Sequence, residues 1–84
     1  MRILIAEDDH VLADGLLRTL RQSGAVVDHV ADGNQADAAL MTHSEFDLLI
    51  LDLDLPRMHG LDVLKRLRTR GAKIPVLILT AADG

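Results

Sequence analysis

Residues 48–56 read LLILDLDLP: an unbroken aliphatic run enters two aspartates one position apart, then a leucine and a proline. A run without polar alternation reads as a strand covered on both faces, which is how strands of a parallel sheet are written. The aspartates demand a separate reason. An unpaired carboxylate in such surroundings is costly or shifts its pKa, so Asp52 and Asp54 call for water, a cation or a chemical task. On this reading Pro56 closes the strand so that both acids face an open crevice.

Two further aliphatic runs, ILIA at 3–6 and VLIL at 76–79, have the same character, and the weaker AVVDHV at 25–30 suits a sheet edge. Helical spacing fills the gaps. Leu12, Ala13, Leu16, Leu17 and Leu20 form one face of a helix that Gly24 can end in a left-handed turn. A shorter helix over 34–41 turns Ala36, Ala39 and Leu40 inward, and Leu61, Leu64 and Leu67 mark a third that ends near Gly71. The order β-α-β-α-β-α-β with short connections predicts right-handed crossovers and an α/β fold, a parallel sheet flanked by helices.

Composition narrows the functions. The chain of 84 residues is sized for one domain, 49% hydrophobic, with Phe46 its sole aromatic besides histidine. A net charge of −4 argues against nucleic-acid binding by this chain, because phosphate contacts need a basic face. Without cysteine there is no disulfide or thiolate site. The apolar start is too short for a signal-peptide core and no stretch approaches a membrane span, so a soluble cytoplasmic protein is expected.

In open parallel sheets ligands sit at the carboxyl ends of the strands. Those ends are Glu7-Asp8-Asp9, Asp52 and Thr80. If the first and third strands are neighbours, the acids converge, and an all-oxygen donor set selects a hard cation, Mg²⁺ before Ca²⁺. A carboxylate beside Mg²⁺ can accept a phosphoryl group, to which the Thr80 hydroxyl could then bond. Plainer roles compete. Asp9 is suited to cap the first helix, the basic group Lys65, Arg66, Arg68, Arg70 and Lys73 reads as a solvated helix face, and the four histidines are scattered.

MRILIAEDD, LLILDLDLPRMHG and PVLILTA, in that order and spacing, resemble the receiver domain of bacterial two-component response regulators. The pattern is most similar to receivers that precede a winged-helix DNA-binding domain. The resemblance implies a flavodoxin-like, doubly wound sheet of strand order 2-1-3-4. It implies that Asp52 is the phospho-acceptor, served by the histidine of a sensor kinase. Glu7 and Asp8 match the acidic pair that holds Mg²⁺, Asp54 the residue that lends it a backbone carbonyl, and Thr80 the switch hydroxyl. Ala81 matches the small neighbour and Gly60 the turn glycine, whereas His59 stands where aspartate is common.

The family's fifth-strand lysine and aromatic switch residue have no match before Gly84, and Lys73 lies at the opposite edge of the sheet. Residues 1–84 are therefore expected to be an incomplete receiver domain, without the fifth strand and last two helices. DNA binding would reside in an output domain outside this chain. Aliphatic side chains of the third and fourth strands would be uncovered, so either these residues are a fragment of a longer protein or the face is covered by another copy, as a homodimer or domain-swapped oligomer. Two alternatives stand: a haloacid-dehalogenase-type phosphatase using Asp52 as nucleophile and Asp54 as general acid, and a receiver-like interaction module that is never phosphorylated. A dinucleotide-binding protein is weaker, since Ala6-Glu7-Asp8 occupies the place of a glycine-rich loop.

Overall fold

A computed structural model describes residues 1–79. Four parallel strands, β1 (Arg2–Ala6), β2 (Val26–Val30), β3 (Leu48–Asp52) and β4 (Val76–Leu79), alternate with helices α1 (His10–Gln22), α2 (Gly33–Thr42) and α3 (Gly60–Thr69). The sheet order is β2-β1-β3-β4. This is the expected 2-1-3-4 order, with β1 and β3 adjacent and the chain reversing direction across the sheet between β2 and β3.

Alternation along each strand divides the core in two. Ile3, Ile5, Val27 and Ile50 point to one face and are covered by Leu16, Leu17 and Leu20 of α1. Leu4, Ala6, Leu49 and Leu51 point to the other, against Ala36 and Leu40 of α2 and Val63 and Leu67 of α3. Burial on both faces explains why β1 and β3 read as continuous aliphatic runs, and each large aliphatic side chain contributes about 1.5–3 kcal/mol. The expected uncovering is confined to β4, where Leu77 and Ile78 are 53% and 41% exposed. β3 stays covered, Ile50 being 3% exposed, because α1 reaches across to it.

The helix ends follow local chemistry. α1 begins at His10, earlier than the apolar spacing suggests, because the Asp9 carboxylate accepts from the N–H groups of Val11 and Leu12 at 3.0 and 3.2 Å. Its expected role as a cap is what the fold uses it for. Gly24 has φ 96° and supplies the left-handed turn after α1. α2 starts where Asp32 accepts from Gln35 N–H at 2.8 Å, while the Gln35 side chain accepts from Ala31 N–H at 3.0 Å. At the start of α3, His59 occupies the cap position and makes no side-chain capping bond among the described residues. Aspartate at that position would supply one.

The basic cluster is exposed, as expected from the sequence, but two of its members also reach a buried partner. Asp37, in the middle of α2, is buried, and its carboxylate accepts from Arg66 Nε at 3.1 Å and Arg70 Nη1 at 2.8 Å, both from the α3 side. Two of the five basic residues thus fasten α3 to α2. The asymmetry of burial sets the energetics: the Asp37 side chain is 8% exposed, whereas Arg66 reaches solvent. Replacing both Arg66 and Arg70 with alanine strands a buried carboxylate and is expected to cost about 3 kcal/mol. Asp37→Ala frees the arginines to hydrate and is expected to cost less, an ordering that urea denaturation of the two variants checks.

Candidate functional site

Parallel pairing puts the carboxyl ends of all strands on one rim. Ala6 lies beside both Val30 and Leu51, so the residues following β1 emerge level with the end of β3. Glu7 donates its N–H to Val30 O at 3.1 Å and turns its side chain inward, where the residue is 4% exposed. The Glu7 carboxylate accepts from Asp9 N–H at 3.1 Å. Across the crevice, Asp52 Oδ1 accepts from Asp54 N–H at 3.0 Å. This short aspartate turn, and not Pro56, ends the strand: β3 stops at Asp52, four residues ahead of the proline. Pro56 instead offers its carbonyl to the N–H groups of Gly33 and Met58 at 3.1 and 2.9 Å, tying the loop after β3 to the start of α2.

One carboxylate oxygen from each of Glu7, Asp8 and Asp52 lies within 4.8 Å of the others. The three acids border a cavity of about 260 Å³ together with Asp9, Leu12, Asp54 and Leu79. Three residues singled out from the sequence are therefore brought together. Asp54 lines the same cavity with an exposed side chain outside the trio, and Asp9 is committed to the helix cap. Thr80 and Ala81 lie outside the described residues. An all-oxygen trio, with Glu7 buried, Asp52 half-buried and Asp8 exposed, suits a hard divalent cation that keeps part of its water shell.

Burial pushes the Glu7 carboxyl up to about 7, with the Asp52 and Asp8 carboxylates adding to the rise and the Asp9 N–H opposing it. The neutral form is thereby favoured, and a cation held between the acids would oppose the shift by favouring the charged form.

Gly60, expected as a turn glycine, is needed for a different reason. Its backbone is not left-handed; a Cβ there would overlap the Asp52 carbonyl oxygen and crowd Leu53 Cα, while its N–H donates to Leu53 O at 3.0 Å. The start of α3 thus rests directly on the end of β3. One neighbour of the site was missed from sequence. His29, at the end of β2, places Nε2 2.7 Å from Glu7 O, and its ring meets that of His10 edge to face at 5.9 Å. The strand register carries the clue, because His29 pairs with Ile5, two residues before Glu7.

A doubly wound sheet with acids gathered at its carboxyl rim defines a class of α/β domains that place their sites at the strand ends, and comparison with known proteins makes the class specific. Residues 3–84 match the model of the response regulator receiver domain. The response regulator protein PmrA of Pseudomonas aeruginosa is 55% identical over 83 residues, which cover 99% of this chain and 37% of that protein. The receiver domain of the Francisella response regulator 1452 superposes with a TM-score of 0.92 at 29% identity, covering 99% of this chain and 68% of that one. Response regulator TrrA of Thermotoga maritima, solved in complex with Mg²⁺-BeF, gives 0.85 at 30% identity, with 98% and 70% covered. The chain belongs to the response regulator receiver family, and its fold is the flavodoxin-like one. It spans little more than a third of the length of PmrA. Membership leaves the haloacid-dehalogenase-type alternative without support. Among the described residues no helix is long and apolar enough to cross a membrane.

Glu7 makes metal-free stability fall with pH. Its folded pKa of about 7 lies above the ordinary 4.5, so the folded state holds the extra proton between these values. The contribution is complete below about 4.5 and lost as pH rises through 7. Urea denaturation with chelator is expected to show stability higher at pH 5 than at pH 8, by up to about 3 kcal/mol from this group. Glu7→Gln should flatten that difference; an equal slope in both proteins contradicts the assignment. Gly60→Ala is expected to destabilise by about 1–3 kcal/mol through overpacking at Asp52, measurable as a lowered melting temperature.

Proposed function

We propose that this chain is the phospho-accepting part of a two-component response regulator, with Asp52 receiving a phosphoryl group from the histidine of a sensor kinase. The observation that carries the reading is the meeting of Glu7, Asp8 and Asp52 at the carboxyl rim of the sheet. A receiver of the same fold, TrrA, has been captured with Mg²⁺-BeF, and beryllium fluoride has the tetrahedral shape of a phosphoryl group.

In this reading Glu7, Asp8 and Asp52 hold Mg²⁺ by their carboxylates and Asp54 by its backbone carbonyl. Bound Mg²⁺ would neutralise the negative charge that gathers as phosphoryl oxygens approach three acids. The residues of the chain do the rest. Asp54 N–H engages one oxygen of Asp52 and fixes its plane, which leaves the other oxygen to attack phosphorus. The new bond is O–P; the broken one is P–N of the phosphohistidine, whose imidazole departs and takes up a proton. The product is an acyl phosphate, and the Thr80 hydroxyl is assigned to bond with one of its oxygens. Regulation of transcription would be exercised by an output segment that contacts DNA, outside these 84 residues. The added charge of roughly −1.5 to −2 at Asp52 biases the surface that such a segment reads.

Incubation with Mg²⁺ and a small acyl phosphate donor is expected to add one phosphoryl group, acid-stable and base-labile, seen by intact-mass spectrometry and absent in Asp52→Asn. An adduct that survives in that variant refutes the assignment. Phosphate released with no lasting adduct points to a hydrolase, and failure of both labelling and Mg²⁺ binding points to an interaction module that is never phosphorylated.

A further inference from the structure

We infer that His29 is a positioning residue for the acidic crevice, its ring N–H holding the peptide group from which two of the three carboxylates hang; the inference rests on the cation site proposed above. The β1–β2 ladder ends where Ala6 pairs with Val30. Glu7 N–H still finds Val30 O, but the next peptide group, joining Glu7 to Asp8, lies past the last paired residues of the ladder. Its carbonyl is met by a side chain, His29 Nε2, at 2.7 Å. A carbonyl oxygen can only accept, so the contact requires the proton on Nε2. The ring also meets that of His10, the first residue of α1, edge to face at 5.9 Å and 89°.

The geometry gives this bond leverage. A peptide group is rigid from one Cα to the next, so with Glu7 N–H fixed on Val30 O, turning the Glu7–Asp8 plane carries Asp8 relative to Glu7 and Asp52. The carboxylate oxygens of the trio lie within 4.8 Å of one another, and they repel. With both sides of Glu7 tied to β2, N–H to Val30 and C=O to His29, that repulsion cannot relax by peptide rotation. His29 is not a cation ligand in this scheme, since Nε2 is spent on the carbonyl and the ring stands outside the acidic trio. Its role corresponds to that of outer partners which orient ligands, whose loss weakens metal binding by 10- to 100-fold.

Three measurements on the 84-residue chain test this. Long-range ¹H–¹⁵N spectra of the imidazole should show the His29 proton on Nε2; a ring carrying it on Nδ1 alone overturns the inference. Titration with MgCl₂, followed by backbone amide shifts, should give about tenfold weaker binding for His29→Leu. His29→Gln, whose amide N–H reaches the same place, should recover most of it. Equal Mg²⁺ affinity in a folded His29→Leu protein refutes positioning, and if that variant does not fold, the tautomer and the Gln variant decide. Should the unsubstituted chain bind no Mg²⁺, the proposed function fails on its own. Positioning is then judged by the Glu7 carbonyl ¹³C shift, which should move in His29→Leu and be kept in His29→Gln; no movement in the Leu variant overturns it.

Discussion

The register of β1 against β3 is the constraint on which the rest of the molecule depends. Ala6 beside Leu51 leaves Glu7 and Asp8 no course except toward Asp52, because parallel strands end on the same rim. Two charged carboxylates held at the trio's separation, within 4.8 Å, repel by roughly 3 kcal/mol at a protein-like dielectric. The buried leucines, isoleucines and valines on either face of β1 and β3 outweigh that cost several times over. The core therefore dictates the crevice. The elevated pKa of Glu7 is a symptom of packing that would not yield to electrostatics.

Support for the crevice comes from elements that do not line it. The loop between β3 and α3 is anchored to the start of α2, where Gly33 leaves room for Met58 and donates its N–H to Pro56 O. Arg57 adopts φ 71°, a left-handed conformation unusual for a side chain with a Cβ, and its Nε lies 3.3 Å from the Asp32 carboxylate. A backbone strain of this kind persists only where its surroundings enforce it. Asp54, which follows the Asp52 turn, is thus carried on a loop fastened at Gly33, Asp32 and Gly60 rather than on a free tether.

What the sequence disclosed and what it concealed divide along physical lines. Strands buried on both faces leave an unbroken aliphatic trace, so β1 and β3 could be read directly; β4 carries the same trace although Leu77 and Ile78 are exposed, and the topology followed from the alternation of strands with helices. The acids after β1 and β3 were legible because a charged residue closing such a run is conspicuous. Long-range partners left no trace. Asp37 looks like any polar residue of a weakly amphipathic helix until Arg66 and Arg70 arrive from a distant segment. His29 looked scattered because its nearness to Glu7 exists only through strand pairing. Pro56 misled, since a proline suggests a stop while the Asp52 side chain had already turned the chain. Gly33 and Gly60 answer to close approach of neighbouring backbone, and no local pattern encodes that.

The clamp at Asp37 also makes the two sides of the sheet mechanically unlike. On one side α2 and α3 are cross-linked by a buried carboxylate with two guanidinium partners, so they behave as a single slab. On the other, among the described residues, α1 is seated by Leu16, Leu17 and Leu20 on Ile3, Ile5, Val27 and Ile50, with a single directed tie near its end from Arg21 Nη2 to Val27 O at 2.9 Å. Hydrophobic seating has no preferred direction, whereas hydrogen-bonded ion pairs do. A load arising in the crevice would meet stiff resistance from the laminated side and find its compliance on the greased one.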